Sequence, residues 1–181
     1  MQLIYEVITV NQIEICRDLC NELMAFQKSV AYIKPEIFDN MRFETRLVPS
    51  VKNALHNYIV VVKDGDTPVA YMYSTISSKE THSNEFATFF DLQSVRKENV
   101  GNLAQFYIKD KYRQHGIGSR LFTMSMDWMS MFEDVEDFFI YVSNGNKNAL
   151  EFYKQKGFTV SHDILNGFIT VLRCHRNELR N

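Results

Sequence analysis

The stretch Arg113-Gln114-His115-Gly116-Ile117-Gly118-Ser119-Arg120 constrains this chain more than any other segment. Only 7 glycines occur in 181 residues, and two of them flank one isoleucine here. The preceding residues, NLAQFYIKDKY, are apolar and aromatic and predict a strand; those that follow, LFTMSMDWMSMF, predict a helix. Such a turn presents free backbone N–H groups and the positive end of a helix dipole, which together suit an anion. A chain organised around this unit has to combine strands and helices.

The remaining segments extend that pattern. Leu3 to Val10 alternates as a first strand, and Asn11 with Glu14 suggests a capping box before a helix carrying Ile15, Leu19, Leu23 and Phe26. Pro35 suits the first turn of a second helix through PEIFDNMRFE, and Pro49 predicts a break. Tyr58 to Lys63, the turn at Asp64-Gly65-Asp66, and Val69 to Ile76 form a hairpin. Residues 77–101 run polar, then aromatic, then charged; part of so long a connection should be ordered. Leu103 to Ile108 is a strand. The helix Gly118 to Phe132 carries a core stripe of Ile117, Leu121, Met124, Trp128 and Met131. Phe138 to Val142 is a strand, and NKNALEFYKQKG is a short helix closed by Gly157 in the position after its C-cap. Thr159 to Leu165 and Phe168 to Arg173 pair around Asn166-Gly167. The order is strand, two helices, three strands, helix, strand, helix, two strands, a mixed α/β domain with one central sheet.

Composition sets the outer limits. Hydrophobic residues make up 45% and charged residues 23%, with a net charge of -2, and the pI is about 6.2. The balance gives no bulk-charge drive toward nucleic acid. No apolar run reaches the length that spans a bilayer. The N-terminal residues lack the features of a signal peptide, so a cytoplasmic location with no membrane partner is expected. Cys16, Cys20 and Cys174 form no zinc-binding spacing; reduced thiols and no metal are expected.

Three phosphate-binding turns compete for the glycine pair. A Walker loop needs a lysine after its second glycine, and there is none here. The dinucleotide fingerprint fails where Leu121 occupies its third glycine. Arg113-x-x-Gly116-x-Gly118 satisfies the R/Q-x-x-G-x-G/A loop of the GNAT N-acetyltransferases in full. Further on, Asn146-x-x-Ala149-x-x-Phe152-Tyr153-x-x-x-Gly157-Phe158 resembles that family's second signature, in the expected order. The chain therefore resembles a GNAT N-acetyltransferase, specifically from about Leu103 to Phe158.

The resemblance implies a single GNAT-like domain over residues 1–181, with a mostly antiparallel twisted sheet of seven strands splayed at its centre and four flanking helices. It divides the chain into a variable acceptor-side half (1–101), an acetyl-CoA-binding core (102–158) and a C-terminal hairpin and tail (159–181). It implies acetyl-CoA as donor. The loop residues Arg113, Gln114, His115, Gly116, Ile117, Gly118 and Ser119 would hold the pyrophosphate; glycine at 116 and 118 removes Cβ atoms that would obstruct it. Lys109, Lys111 and Arg120 would add positive charge. Phe106, Tyr107 and Ile108 would line the pantetheine wedge of a bulged strand, with the Ile108 backbone at the thioester. Asn146, Ala149 and Phe152 would face the pantetheine arm.

Acetyl transfer to an amine needs a neutral nucleophile and a protonated leaving thiolate; the ammonium titrates near ~10.4 and the thiol near ~8.5. Tyr153 matches the family tyrosine that donates to the departing sulfur, while the neighbouring Tyr141 falls outside the signature and is expected to tolerate Phe. The strand NLAQFYI offers no acid, and Gln105 cannot replace one. Glu44, Glu85, Asp91 and His82 remain candidate bases, beside a water-relayed proton. Glu36, Asp39 and Glu44 among Phe38, Met41 and Phe43 would suit a small cationic amine. The expected acceptor is a primary amine of a small molecule or peptide, and a homodimer is compatible with the chain. Two other readings remain: a silent acyl-CoA sensor, and a dinucleotide-binding oxidoreductase disfavoured by Leu121.

Overall fold

Seven strands form one sheet in the order β1-β2-β3-β4-β5-β7-β6. They are β1 (Leu3–Ile8), β2 (His56–Asp64), β3 (Thr67–Ser78), β4 (Asn99–Ile108), β5 (Val135–Ser143), β6 (Thr159–Ile164) and β7 (Ile169–His175). The helices are α1 (Arg17–Val30), α2 (Phe43–Asn53), α3 (Ile117–Met129) and α4 (Lys147–Gln155), joined by short 3-10 turns. Every strand pair is antiparallel except β4–β5, which is parallel. This computed structural model describes residues 2–179; Met1, Arg180 and Asn181, the ends of the expected 1–181 domain, lie outside the described residues.

The sheet is covered on both faces, which explains the unbroken apolar run of β2. Val60 and Val62 pack with Leu121, Phe122, Tyr153 and Phe158 under α3 and α4. Ile59 and Val61 pack with Leu19, Leu23, Phe43 and Leu47 under α1 and α2. Residues 79–98 form a third packing unit. Phe90 stacks on Phe139 with centroids 4.2 Å apart, and Phe89 tilts onto Tyr141 at 4.4 Å. Arg173 secures it by donating to the Ser94 carbonyl (2.8 Å) and to the buried Asp137 carboxylate (2.9 Å).

Several local expectations are corrected. At the first helix it is the Gln12 carboxamide that accepts the Thr9 N–H (2.9 Å), while Glu14 turns to Arg17. Pro35 opens a 3-10 turn, Pro35–Asn40, and not a full helix. The second helix starts later and runs straight through Pro49, because Phe43, Leu47 and Val51 keep a buried stripe across it. In α3 the buried face is Ile117, Leu121, Phe122, Ser125, Met126 and Met129. Met131 lies past the C-cap and is 76% exposed. The last hairpin turns through Leu165, Asn166 and Gly167, all at positive φ, with Ile164 paired to Ile169. That loop is longer than the two-residue turn Asn-Gly suggested.

The centre of the sheet opens. β4 pairs with β5 only at Asn99, Gly101 and Asn102. There Gly101 permits the approach: a Cβ would lie 2.7 Å from the Phe138 ring and 2.9 Å from the Met129 sulfur. Beyond Asn102 the two strands part. On its other edge β4 keeps its bonds to β3 up to Ile108, with one extra residue, Ala104, between Leu103 and Gln105. The bulge therefore sits at Ala104, earlier than the expected position near Ile108, and it resets the alternation of the strand. Leu103, Phe106 and Ile108 then face α3 and α4, while Ala104 and Tyr107 face α1 and α2.

Candidate functional site

The parted strands bound a cavity of about 850 Å³ that passes from one face of the sheet to the other. Phe106, Tyr107, Ile108, Arg113, Gln114, Gly116, Gly118, Ser119, Asn146, Ala149, Phe152 and Tyr153 all line it. Two of the expected loop residues do not. Ile117, the first residue of α3, is buried in the core, and His115 is not among the lining residues.

The loop is shaped for an anion. Gln114 (φ 64°) and Gly116 (φ 77°) are both left-handed, and Gly116 is the N-cap of α3. The backbone N–H groups from Gln114 through Ser119 donate to no acceptor among the described residues. A Cβ built on Gly116 would meet nothing within 4 Å, so the space above it is open. These residues fit a pyrophosphate, which would satisfy the donors and the helix dipole together. The expected cations contribute unevenly. Arg113 donates to the Ile108 carbonyl (3.0 Å), pairs with Asp110 (2.9 Å) and lies over the Phe26 ring. Lys109 pairs with Glu22 at 3.3 Å, and Lys111 and Arg120 lie over Tyr112 and Tyr5. Lys156, which the loop motif did not indicate, reaches the Ser119 hydroxyl at 3.1 Å.

Most of the second signature has a structural explanation. The Asn146 carboxamide caps α4 by accepting the Ala149 N–H at 3.3 Å. At the other end Gly157 (φ 98°) donates to Lys154, and Phe158 donates to Tyr153, both at 3.1 Å. These are the two bonds of a Schellman cap. Tyr153 is what capping leaves over. It is 6% exposed, held among Phe106, Phe122 and Phe152. It lines the cavity, and its hydroxyl has no partner among the described residues. Burial raises its pKa, so the phenol keeps its proton.

The α1–α2 side differs from expectation. Glu44 is bound by Arg17 and Arg42, Asp39 by Lys28, and neither lines the cavity. Glu36 and Glu85 are exposed, and Asp91 caps the turn Leu92–Ser94. Among the described residues no Asp or Glu lines the cavity at all. Of the four candidate bases, His82 alone faces it. Its Nδ1 lies 2.8 Å from the Tyr141 hydroxyl, while Nε2 is buried without a partner. Burial pushes this imidazole down to about 4, so it is neutral at pH 7. Tyr141 also lines the cavity and is therefore unsuited to serve as an inert comparison for Tyr153.

Asn144-Gly145 is a missed pair that joins the two sides. Asn144 Oδ1 accepts the Tyr32 and Ile33 N–H groups (2.8 and 2.7 Å), and Nδ2 donates to the Ile33 and Phe168 carbonyls. Gly145 lies against the Val30 carbonyl, where a Cβ would sit 1.9 Å from the oxygen. An Asn-Gly after a strand was the available signal.

Known proteins share this fold. The model of the Acetyltransferase (GNAT) family matches residues 20–158. No curated protein matches the chain. Among solved structures, PaiA N-acetyltransferase from Thermoplasma acidophilum in complex with coenzyme A is 16% identical, with a TM-score of 0.67 over 97% of this chain and 99% of that one. Arabidopsis thaliana NAA60 in complex with a bisubstrate analogue is 13% identical, with a TM-score of 0.63 over 98% and 99%. The NatC complex bound to Gag peptide and CoA is 17% identical, with a TM-score of 0.61 over 97% and 99%. At these identities the likeness is one of fold. With the family model spanning both signatures, the chain belongs to the GNAT family of acetyltransferases.

Proposed function

We propose that this protein transfers the acetyl group of acetyl-CoA to a primary amine by direct attack. The observation that carries the reading is a single cavity joining the unsatisfied N–H groups of Gln114 to Ser119, the parted edge of β4 and the Tyr153 phenol. The loop amides and Lys156 would hold the pyrophosphate. Phe106, Ile108 and Phe152 would flank the pantetheine arm, and free N–H groups on the β4 edge would polarise the thioester carbonyl. When bound, acetyl-CoA supplies an activated acyl group. Tyr153 keeps its proton at neutral pH and passes it to the sulfur as the C–S bond breaks, then regains one from water. The amine sheds its proton through water or to His82, the one imidazole on the wall among the described residues. Burial opposes a charge on His82, its Nδ1 is engaged with Tyr141 and its Nε2 is enclosed, so the water route is the better supported of the two.

One observation favours a second reading, a silent acyl-CoA sensor: the cavity wall lacks a carboxylate base among the described residues. Acetyl-CoA binding measured by calorimetry, together with thiol release over an amine panel, decides between them. Tight binding with turnover supports the transferase; tight binding with no turnover over the whole panel leaves the sensor. Failure to bind acetyl-CoA overturns both.

A further inference from the structure

The α2 side of the cavity carries a cation, Arg46, that forms no ion pair among the described residues. Thr45, Arg46, Pro49, Ser50 and Asn53 lie along one face of α2 and line the cavity, while Phe43, Leu47 and Val51 turn into the core. Pro49 has no N–H to offer the Thr45 carbonyl, so this face is also short of a helix bond. The Arg46 guanidinium forms no ion pair and no side-chain hydrogen bond among the described residues. Solvent reaches the side chain, yet enough protein surrounds it for burial to lower its pKa. It nonetheless stays charged at any ordinary pH.

A second donor lies close by. The Gln105 carboxamide oxygen on β4 is used by the Tyr71 hydroxyl (2.6 Å) and the Cys20 thiol (3.4 Å). Its amide nitrogen has no partner among the described residues, and Gln105 lines the cavity. Arg46 and Gln105 share a neighbour in the Cys20 thiol, which Gln105 contacts and on which both Arg46 and the Arg17-bound Glu44 act electrostatically. The wall between them supplies no carboxylate. A concave wall with an unpaired guanidinium, an amide donor and no carboxylate among the described residues that line it disfavours a second cation and fits an anionic oxygen group.

We propose that this end of the cavity is an anion subsite, and that the acceptor is a small amine carrying a carboxylate or another anionic oxygen group. Arg46 holds that group with both arms of its guanidinium, and Gln105 adds one hydrogen bond. The amine is thereby directed along β4 toward the thioester. The inference rests on the transferase reading and sets its substrate class: simple diamines and polyamines, which an acidic α2 would have favoured, are disfavoured.

The test uses the full chain and ω-amino acids of three to six carbons, each beside its alkylamine, its diamine and its aminoalkyl phosphonate. Affinity is measured by calorimetry on protein saturated with CoA, and kcat/KM by thiol release from acetyl-CoA. Expected is a preference of about tenfold or more for one anionic series over its alkylamine, lost in Arg46→Met and partly kept in Arg46→Lys. Acetyl-CoA affinity should be the same in all three proteins. The carboxylate and phosphonate arms identify the group. Equal binding of charged and uncharged amines, a preference for diamines, a preference that survives Arg46→Met, or a loss of acetyl-CoA affinity in that variant overturns the subsite. If the anionic amines bind with the expected preference and none is acetylated, the transferase reading fails and the subsite stands.

Discussion

The glycine-loop end of the cavity is made mostly of backbone, whereas the α2 end is made of side chains. At the loop, N–H groups from Gln114 to Ser119 face open space, and left-handed Gln114 and Gly116 hold them there. At α2 the chemistry lies in Arg46, Ser50 and Asn53, projected from an ordinary helical face. Backbone recognition needs special φ angles and therefore particular residues at fixed spacing. Side-chain recognition needs only a helix in the right place, which many sequences provide. The comparison teaches why the donor side of this fold announces itself as a motif and the acceptor side does not.

The sharpest way to break the contrast is Tyr153→Phe, at the point where the two ends meet. The ring and its packing remain, while kcat should fall by roughly 10²- to 10⁴-fold with acetyl-CoA affinity unchanged. The fall should ease for acyl donors with a better leaving thiol. Tyr32, 72% exposed, supplies the control; Tyr32→Phe should keep full thiol release. Unreduced kcat in Tyr153→Phe assigns the proton to water or another group.

Asn144→Ala tests whether the two ends are held to each other. It strips the hydrogen bonds that tie the α1–α2 connection to the end of β5. A loss of about 3 kcal/mol, or roughly 6–12 °C in Tm, is expected. Acceptor KM should rise more than the Kd of acetyl-CoA, since the displaced segment belongs to the acceptor side. Equal effects on both would mean that Asn144 supports the fold without favouring either end.

Gly116→Val probes the backbone end alone. A β-branched residue opposes φ 77°, and its side chain fills the open space above the loop. Acetyl-CoA Kd should rise by about tenfold or more, against a Tm change of only a few degrees. An unchanged Kd, read by calorimetry, would leave the glycine as a turn residue only.

The smallest expected effect is the pH dependence of His82. Its imidazole lies near 6.5 in the unfolded chain and is pushed down to about 4 in the fold by burial. Between those values the unfolded chain binds a proton that the folded protein does not. The associated stability is thus whole above pH 6.5 and is lost as pH falls toward 4. Replacement in His82→Gln should flatten that part of the stability profile, read from denaturant unfolding at each pH, by roughly 1–3 kcal/mol. A wild-type profile already flat over this window would place the imidazole in water.

The donor side was readable because its requirements are local. Gly116, Gly118, Asn146, Tyr153 and Gly157 lie within two short windows, and each window contains its own helix start or helix end. The same locality explains an ambiguity the structure resolves: Asn146, Gly157 and Phe158 keep step with Tyr153 because they cap α4. On the acceptor side the reading of FETRL named Glu44, whereas Arg46 reaches the cavity. Two residues along a helix are roughly 200° apart, so choosing the wrong one points to the opposite face. Pro49 misled in the same way, since packing of Leu47 and Val51 outweighed its local preference.

The sequence by itself determined the element order, the hairpins and the glycine turn that opens α3. All of these follow from periodicity, from glycine's access to positive φ and from helix capping, which act over a few residues. Only the tertiary structure decided where β4 leaves β5, that the bulge falls at Ala104, and that residues 79–98 cover Phe139 and Tyr141. It also decided which charges cancel: Glu44 against Arg17, Asp39 against Lys28, and Arg46 against nothing among the described residues. Electrostatic pairing depends on distance in space, and residues 17 and 44 become neighbours only when α1 and α2 pack on the same sheet.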